Sequence, residues 1–296
     1  MPLYDYIYGT IDKSSDDLYE TSLNRQEDSA DVVHLTHLTT PESIYHLRLG
    51  FASLASKPHD FNWYLWFMWP VTLWSVIATW IYGRTFLIER NFFKNLKLQT
   101  WAVPKYTIQY HTRWQRESIN TLIEEAILEA EEKGIKVLSL GLLNQEEELN
   151  KKGELYIRRH PFLKVKLVDG SSLAVAIVLN SIPKRTSKVV LGGNLSKIGY
   201  SIALALCQGG IQTWIVGEGL TKEDQLNASK GTTFIPFSYF PPKKMRKDCV
   251  YYYTPSMLVP KNLENLDSCE NWLPRRVMSA SRVAGILHSL ENWKMN

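Results

Sequence analysis

The sequence predicts an α/β fold in two parts, a membrane-associated helical N-terminal segment and a domain built on a parallel sheet. Three observations predict it. Short apolar runs alternate with helical stretches from Thr112 to Val216, the pattern of a parallel sheet covered by helices. Lys188–Gln208, KVVLGGNLSKIGYSIALALCQ, reads as strand, glycine turn and apolar helix, the opening of a dinucleotide-binding βαβ unit. Phe61–Gly83, FNWYLWFMWPVTLWSVIATWIYG, carries no charge, and about 20 apolar residues span a bilayer. The second part is therefore expected to be Rossmann-like.

Composition sets the outer bounds. The chain has 296 residues, 45% of them apolar, enough for one large or two ordinary domains with a sizeable core. Its 34 basic and 30 acidic residues leave a net charge of +4, too mild to call for a nucleic acid partner. The densest basic run, Lys243, Lys244, Arg246 and Lys247, reads as a solvated loop. Cys207, Cys249 and Cys269 are odd in number and widely spaced, which suggests neither a disulfide frame nor a zinc site.

In chain order, Met1–Asp12 is aromatic and Lys13–Asp31 reads as a charged surface loop. Thr40 is a plausible N-cap, so a helix is expected from Pro41 to Ser56 with Ile44, Leu47, Phe51 and Leu54 on one face. Phe61–Gly83 holds five tryptophans, and tryptophan prefers the headgroup level. A spanning helix kinked at Pro70 leads, ahead of a re-entrant or interfacial helix and a buried core helix. Arg84, Arg90, Lys94 and Lys97 follow it and place the region beyond in the cytosol.

Asn91–Tyr110 reads as a linker or short strands. Thr112–Lys133 is the clearest helix, with Trp114, Ile119, Leu122, Ile123, Ala126, Ile127 and Ala130 in one stripe and Gly134 as its stop. Strand Lys136–Leu140, a glutamate-rich helix Gln145–Lys152, strand Val165–Val168 and an apolar helix Leu173–Leu179 precede the glycine turn. Strand Ile211–Val216 follows it. Short strands are expected within Thr232–Phe240, Cys249–Tyr253 and Met257–Val259, and a final helix within Arg275–Trp293.

Four residues of the turn are the candidate phosphate-binding set: Gly192, Gly193, Ser196 and Gly199. Glycines let the backbone turn sharply, and the helix start presents amides to an anion. The spacing is nearer G-x-x-x-x-x-G than G-x-G-x-x-G, and a tight βα turn without a ligand is the competing reading. Glu218, at the end of the next strand, is the candidate ribose-binding acid. The tyrosine–lysine pair of a short-chain dehydrogenase is missing, because Pro241 and Pro242 separate Tyr239 from Lys243. His34 and His37 form H-x-x-H, but two ligands do not make a metal site, so a structural or hydrogen-bonding role leads and metal binding is the competing reading.

Longer phrases point to a family. MPLYDYIYGTIDKSSDDLYE, VVHLTHLTTPESIYHLRLGFASLAS, KVLSLGLLNQEEELNKKGELY, GTTFIPFSYFPPKKMRKDC and SCENWLPRRVMSASRVAGILHSLENW resemble the plant eceriferum family, the very-long-chain aldehyde decarbonylases of cuticular wax. The resemblance implies conversion of fatty aldehydes to alkanes in the endoplasmic reticulum membrane, with the C-terminal domain in the cytosol. It implies a di-iron centre held by clustered histidines, electrons from cytochrome b5, a homologous wax-synthesis protein as partner and a very-long-chain aldehyde or acyl substrate. It also implies that 1–110 is a remnant of a fatty acid hydroxylase-like membrane domain and 111–296 a Rossmann-like wax-synthesis domain.

Departures from the family qualify this. The histidine boxes H-x-x-x-H and H-x-x-H-H are absent, and none of the seven histidines forms a His-His pair. His34 and His37 fall in a family phrase rather than in a box. The chain reads as starting at an internal methionine. At Gly210–Gly219 two family phrases are joined directly where relatives carry a further helix and strand, which is expected to expose a sheet edge. The expectation is a C-terminal portion that is inactive alone and binds no iron itself, with NADP(H) as the ligand of the glycine turn. The alternative is a non-catalytic, membrane-tethered module that binds a nucleotide, an acyl chain or a partner.

Overall fold

Val32–Leu38 (β1), VVHLTHL, is buried along its whole length, as the centre of a parallel sheet requires. A computed structural model of the chain describes residues 30–41, 43, 67–81, 83–183, 189–192, 196–206, 214–216, 222–226, 228, 230–240, 245–264, 270 and 272–291. The expected helix Pro41–Ser56 beyond Pro41 and Ser43, the start of Phe61–Gly83, Gly193 and Glu218 lie outside the described residues.

Helix α1 (Trp69–Ile81) follows, then a hairpin of β2 (Phe86–Phe93) and β3 (Leu96–Tyr106) that turns at Lys94–Asn95. After α2 (Thr107–Tyr110) comes the long helix α3 (Arg116–Glu132), then β4 (Val137–Leu140). Two short helices, α4 (Glu147–Asn150) and α5 (Glu154–Arg159), lead to β5 (Lys166–Val168) and helix α6 (Ser171–Ser181). The glycine-turn unit is β6 (Val190–Gly192) and α7 (Lys197–Leu206). Then come β7 (Trp214–Val216), α8 (Lys222–Leu226), β8 (Thr233–Pro236) and β9 (Val250–Tyr251). The chain continues through β10 (Ser256–Leu258), β11 (Leu263–Glu264) and β12 (Val277–Ser279) to helix α9 (Ala280–Glu291).

Two main sheets result. The first runs β11-β2-β3-β1-β4-β5, parallel from β3 to β5 and antiparallel at the β2 and β11 edge. It draws strands from both sides of the 110/111 boundary. The second runs β6-β7-β8-β9 and is parallel throughout, with β6, α7 and β7 forming the expected βαβ unit. The mixed α/β reading with a parallel-dominated sheet therefore holds.

Each face of the first sheet is covered. Ile119, Ile123, Ala126, Ile127 and Ala130 of α3 pack on Val33, Leu35, Leu138 and Leu140. On the opposite face Ala284 of α9 packs with Val32, Leu98, Val137 and Val168. Gly134 ends α3 at φ +69, with Ile135 N donating to Ala130 O at 2.9 Å. A third core joins the two sheets. Ala174, Val178 and Ile182 of α6 meet Ile198 and Ile202 of α7 and Ile235 of β8.

Two expectations need correcting, and a third, the helix within Phe61–Gly83, falls partly outside the described residues. Asn91–Tyr110 is not a linker, because β3 alone is an 11-residue strand and its last seven residues are buried. Gln145–Lys152 is not a continuous helix. Lys151 and Lys152 sit at φ 52 and 59, and Asn150 spends its side-chain oxygen on the amide of Gly153 at 3.0 Å. The described part of Phe61–Gly83 is the 13-residue α1, about 20 Å long against a bilayer core of about 30 Å. Among the described residues no helix is long and apolar enough to cross a membrane.

One buried charge pair ties α9 to the sheet. Arg282 is 3% exposed and donates from Nη2 to Glu89 Oε2 at 2.5 Å and Asn91 Oδ1 at 2.8 Å, both on β2. Burial pushes the Glu89 carboxyl up, and the guanidinium draws it back. Removing one partner of such a pair leaves an uncompensated charge. Arg282→Met is expected to cost about 3–5 kcal/mol in urea unfolding, and adding Glu89→Met recovers part of that loss. Equal destabilisation by the single and double variants would contradict the pairing.

Candidate functional site

The sheet order places a switch point beside β1. The chain leaves β1 towards β3 on one side, crosses back over it through α3 to β4, and continues to β5 on the other. In open α/β sheets ligands bind outside the carboxyl ends of the strands at such a point. The loops after β4 and β5 leave from these ends and line a cleft of about 740 Å³ and a recess opening off it. The second sheet faces the same space with its own carboxyl ends. Ser196 and Lys197 begin α7 after β6, and Phe237, Ser238 and Tyr239 follow β8. The cleft is thus built from both sheets.

Asp169, just past β5, lines the recess. Its Oδ1 accepts the Ser171 amide at 3.0 Å and its Oδ2 accepts the Ser171 hydroxyl at 2.7 Å. Lys152 Nζ donates to that hydroxyl at 3.3 Å. From the other sheet Lys197 Nζ lies 3.7 Å from Asp169 Oδ2. Burial pushes the Lys152 ammonium down and the Asp169 carboxylate partly restores it. Gly170, between Asp169 and α6, is at φ +69, and a Cβ there would stand 2.5 Å from Ser281 Cα. Only glycine permits this approach of α6 to α9.

A hydrogen-bonded chain fixes the loop after β4. Tyr110 Oη donates to Asn144 Oδ1 at 2.5 Å, and Asn144 Nδ2 donates to Leu35 O at 2.9 Å. Asn150 Nδ2 donates to Asn144 O at 2.9 Å and contacts Tyr156 Oη, which donates to Asn120 Oδ1 at 2.8 Å. Gln145 follows Asn144, is 2% exposed, and lines the recess. Its Oε1 has no hydrogen-bond partner among the described residues.

Of the residues expected from sequence, Gly192 ends β6, Ser196 accepts the Gly199 amide at 3.4 Å, and Gly199 is buried in the first turn of α7. Ser196, on the described side of the turn, lines the cleft. Asp169, which reaches Lys197 of that turn from the recess, was missed by sequence reasoning along with Lys152 and Gln145. Val168–Ser172, VDGSS, carried the signal: a strand end followed by Asp-Gly before an apolar helix.

His34 and His37 are not brought together. Three residues apart on a strand, they point to opposite faces. His34 Nδ1 pairs with the Ser139 hydroxyl at 2.9 Å towards α9, and its ring presses on Gly141. His37 faces the other way, 4.4 Å from the Tyr110 ring, and its Nδ1 donates to Leu38 O at 2.7 Å. Among the described residues no three His, Cys, Asp or Glu side chains cluster as a metal site needs. A di-iron centre does not fit this arrangement.

Both rings are held neutral. Burial, then the charge of Arg282, lowers His34 from 6.5 to about 3. Burial lowers His37 to about 4, against the pull of the Leu38 carbonyl. Since the folded values lie below the unfolded one, their contribution is complete above pH 6.5 and is lost as the pH falls towards 4. Urea unfolding at pH 5.5 should show about 1.4 kcal/mol less stability per histidine than at pH 7.5, and His37→Phe should remove its share. Equal stability at the two pH values would contradict the neutral burial.

Comparison with known proteins bears on the whole chain. A model of the CER1-like C-terminal domain matches residues 209–296. The chain is 54% identical to the Arabidopsis thaliana protein named very-long-chain aldehyde decarbonylase CER1, covering 100% of this chain and 53% of that protein. It is 50% identical to rice (Oryza sativa subsp. japonica) very-long-chain aldehyde decarbonylase GL1-5, over 99% of this chain and 53% of the relative. Arabidopsis protein CER1-like 2 is 51% identical, over 99% and 52%. The chain thus spans about half the length of the curated relatives it matches. The first of these alignments runs over 332 residues against a chain of 296, so that relative carries extra residues within the matched span. Over its whole length the chain is thus similar to plant proteins of the CER1-like group, and its C-terminal part matches their C-terminal domain.

Proposed function

We propose that this chain is the C-terminal portion of a very-long-chain fatty aldehyde decarbonylase-like protein of cuticular wax synthesis, serving the conversion of fatty aldehyde to alkane without holding the metal centre itself. The observation that carries this reading is the 54% identity over the full chain to a protein named for that activity. The opposite orientations of His34 and His37 on β1 favour iron ligands supplied from outside these residues. A homologous wax-synthesis protein and cytochrome b5 are the partners that the reading requires, and a very-long-chain aldehyde or acyl chain is its substrate. The extra residues in the relative favour the loss of a helix and a strand near Gly210–Gly219. The turn at Gly192, Gly193, Ser196 and Gly199 takes the phosphates of NADP(H) in this reading.

The endoplasmic reticulum membrane is its place, and α1 is the contact. This helix is inverted for a soluble protein. Thr72 and Thr79 are buried, while Trp69, Trp74 and Trp80 are 50%, 70% and 56% exposed. Trp80 lies 6.2 Å from the exposed Trp114, which widens the aromatic face. Such a face suits the headgroup layer.

Split complementation tests both parts in yeast that makes very-long-chain aldehydes. The chain alone is expected to yield no alkane, and the chain with the N-terminal half of the Arabidopsis relative is expected to yield it. In the same cells the chain should sediment with microsomes, and Trp74→Ser with Trp80→Ser should release it. Alkane from the chain alone, or none from the pair when both accumulate, would contradict the assignment.

A further inference from the structure

Gln145 is the starting point. A buried acceptor without a partner costs stability, and native folds rarely keep one without use. The loop cannot swing it outward, because the side chain of Asn144, its neighbour, is held by Leu35 and Tyr110. The recess has a volume of about 30 Å³, room for a single small group, so the Gln145 oxygen calls for one N–H or O–H at the tip of a ligand seated in the outer cleft. That recess is continuous with the outer cleft, since Ile198, Phe237, Ser238 and Tyr239 line both.

The outer cleft has the opposite demand. Lys152 and Lys197 bring two ammonium groups to it, and the first turn of the ten-residue α7 opens on it at Ser196. Helix starts favour anions. The exposed Glu147 and Glu148 lie on the same wall, which disfavours a diffuse polyanion and leaves the anion position at the lysines. Phe237 and Tyr239 supply flat apolar surface between the two ends. A volume of about 740 Å³ is that of a small-molecule site.

We infer that the cleft is a nucleotide site shared by the two sheets: a phosphate rests at Ser196 between Lys152 and Lys197, and the nucleoside reaches inward so that an N–H or O–H group donates to Gln145 Oε1. The inference rests on the phosphate reading of the α7 turn and goes beyond it, because half of the ligand's contacts come from the β4 and β5 side. Asp169, already between the two lysines, is placed to accept a sugar hydroxyl.

Titration of the purified full chain with NADPH, NADH, ADP and inorganic phosphate tests it by calorimetry. Saturable binding of ADP or a dinucleotide is expected, with free phosphate far weaker. Gln145→Leu, which removes the unpaired acceptor but keeps the bulk, should weaken nucleotide binding at least tenfold without lowering Tm. Lys152→Ala and Lys197→Ala should each weaken it about tenfold. Nucleotide binding that Gln145→Leu and Lys152→Ala both leave unchanged overturns the inference and spares the reading of the turn. A loss of Tm in Gln145→Leu with unchanged binding in Lys152→Ala also overturns it. No saturable binding of any nucleotide overturns both.

Discussion

The arrangement of the molecule depends on α6 and its contact with α9 at Gly170. This helix has two partners. Leu173 and Ala174 reach the cores on either side of it, and α6 packs on α7 of the second sheet as well as on α9 of the first. Only Ser172, Ala176 and Asn180 form an exposed stripe. A helix apolar around most of its circumference must be covered on more than one side. Because Gly170 lets the backbone close to within contact of Ser281, α6 starts beside α9, and Asp169 is turned towards α7. The cleft follows from that one close approach.

Much of this was legible in the sequence where a single element carries its own pattern. The α3 stripe, its Gly134 stop, β4, β5 and the β6–α7 unit were all readable, because periodicity or a glycine turn is local. The central strand β1 was not, because a strand buried on both faces has no alternation to mark it. The β2–β3 hairpin was missed for a related reason. Its polar residues Glu89 and Asn91 look like solvent-facing positions, but they are buried against Arg282 almost two hundred residues later.

The same distinction governs the site. Ser196 and Gly199 could be named from their spacing, since the phosphate turn is one continuous segment. Asp169, Lys152 and Gln145 could not, since they reach the cleft from the β4 and β5 loops of the other sheet. His34 and His37 show why spacing needs its element. H-x-x-H suits a shared metal on a helix, where such residues lie on one face, but β1 is a strand and its pleat separates them.

The central claim is that both sheets turn their carboxyl ends to one cleft. Zero-length carbodiimide coupling, read by mass spectrometry, tests it most directly, because it joins only carboxylates and amines in contact. Asp31 and Lys136, 2.7 Å apart on the first sheet, serve as the internal standard. The account predicts an Asp169–Lys197 amide that disappears in Asp169→Asn. Coupling at Asp31–Lys136 with none between Asp169 and Lys197 would contradict it.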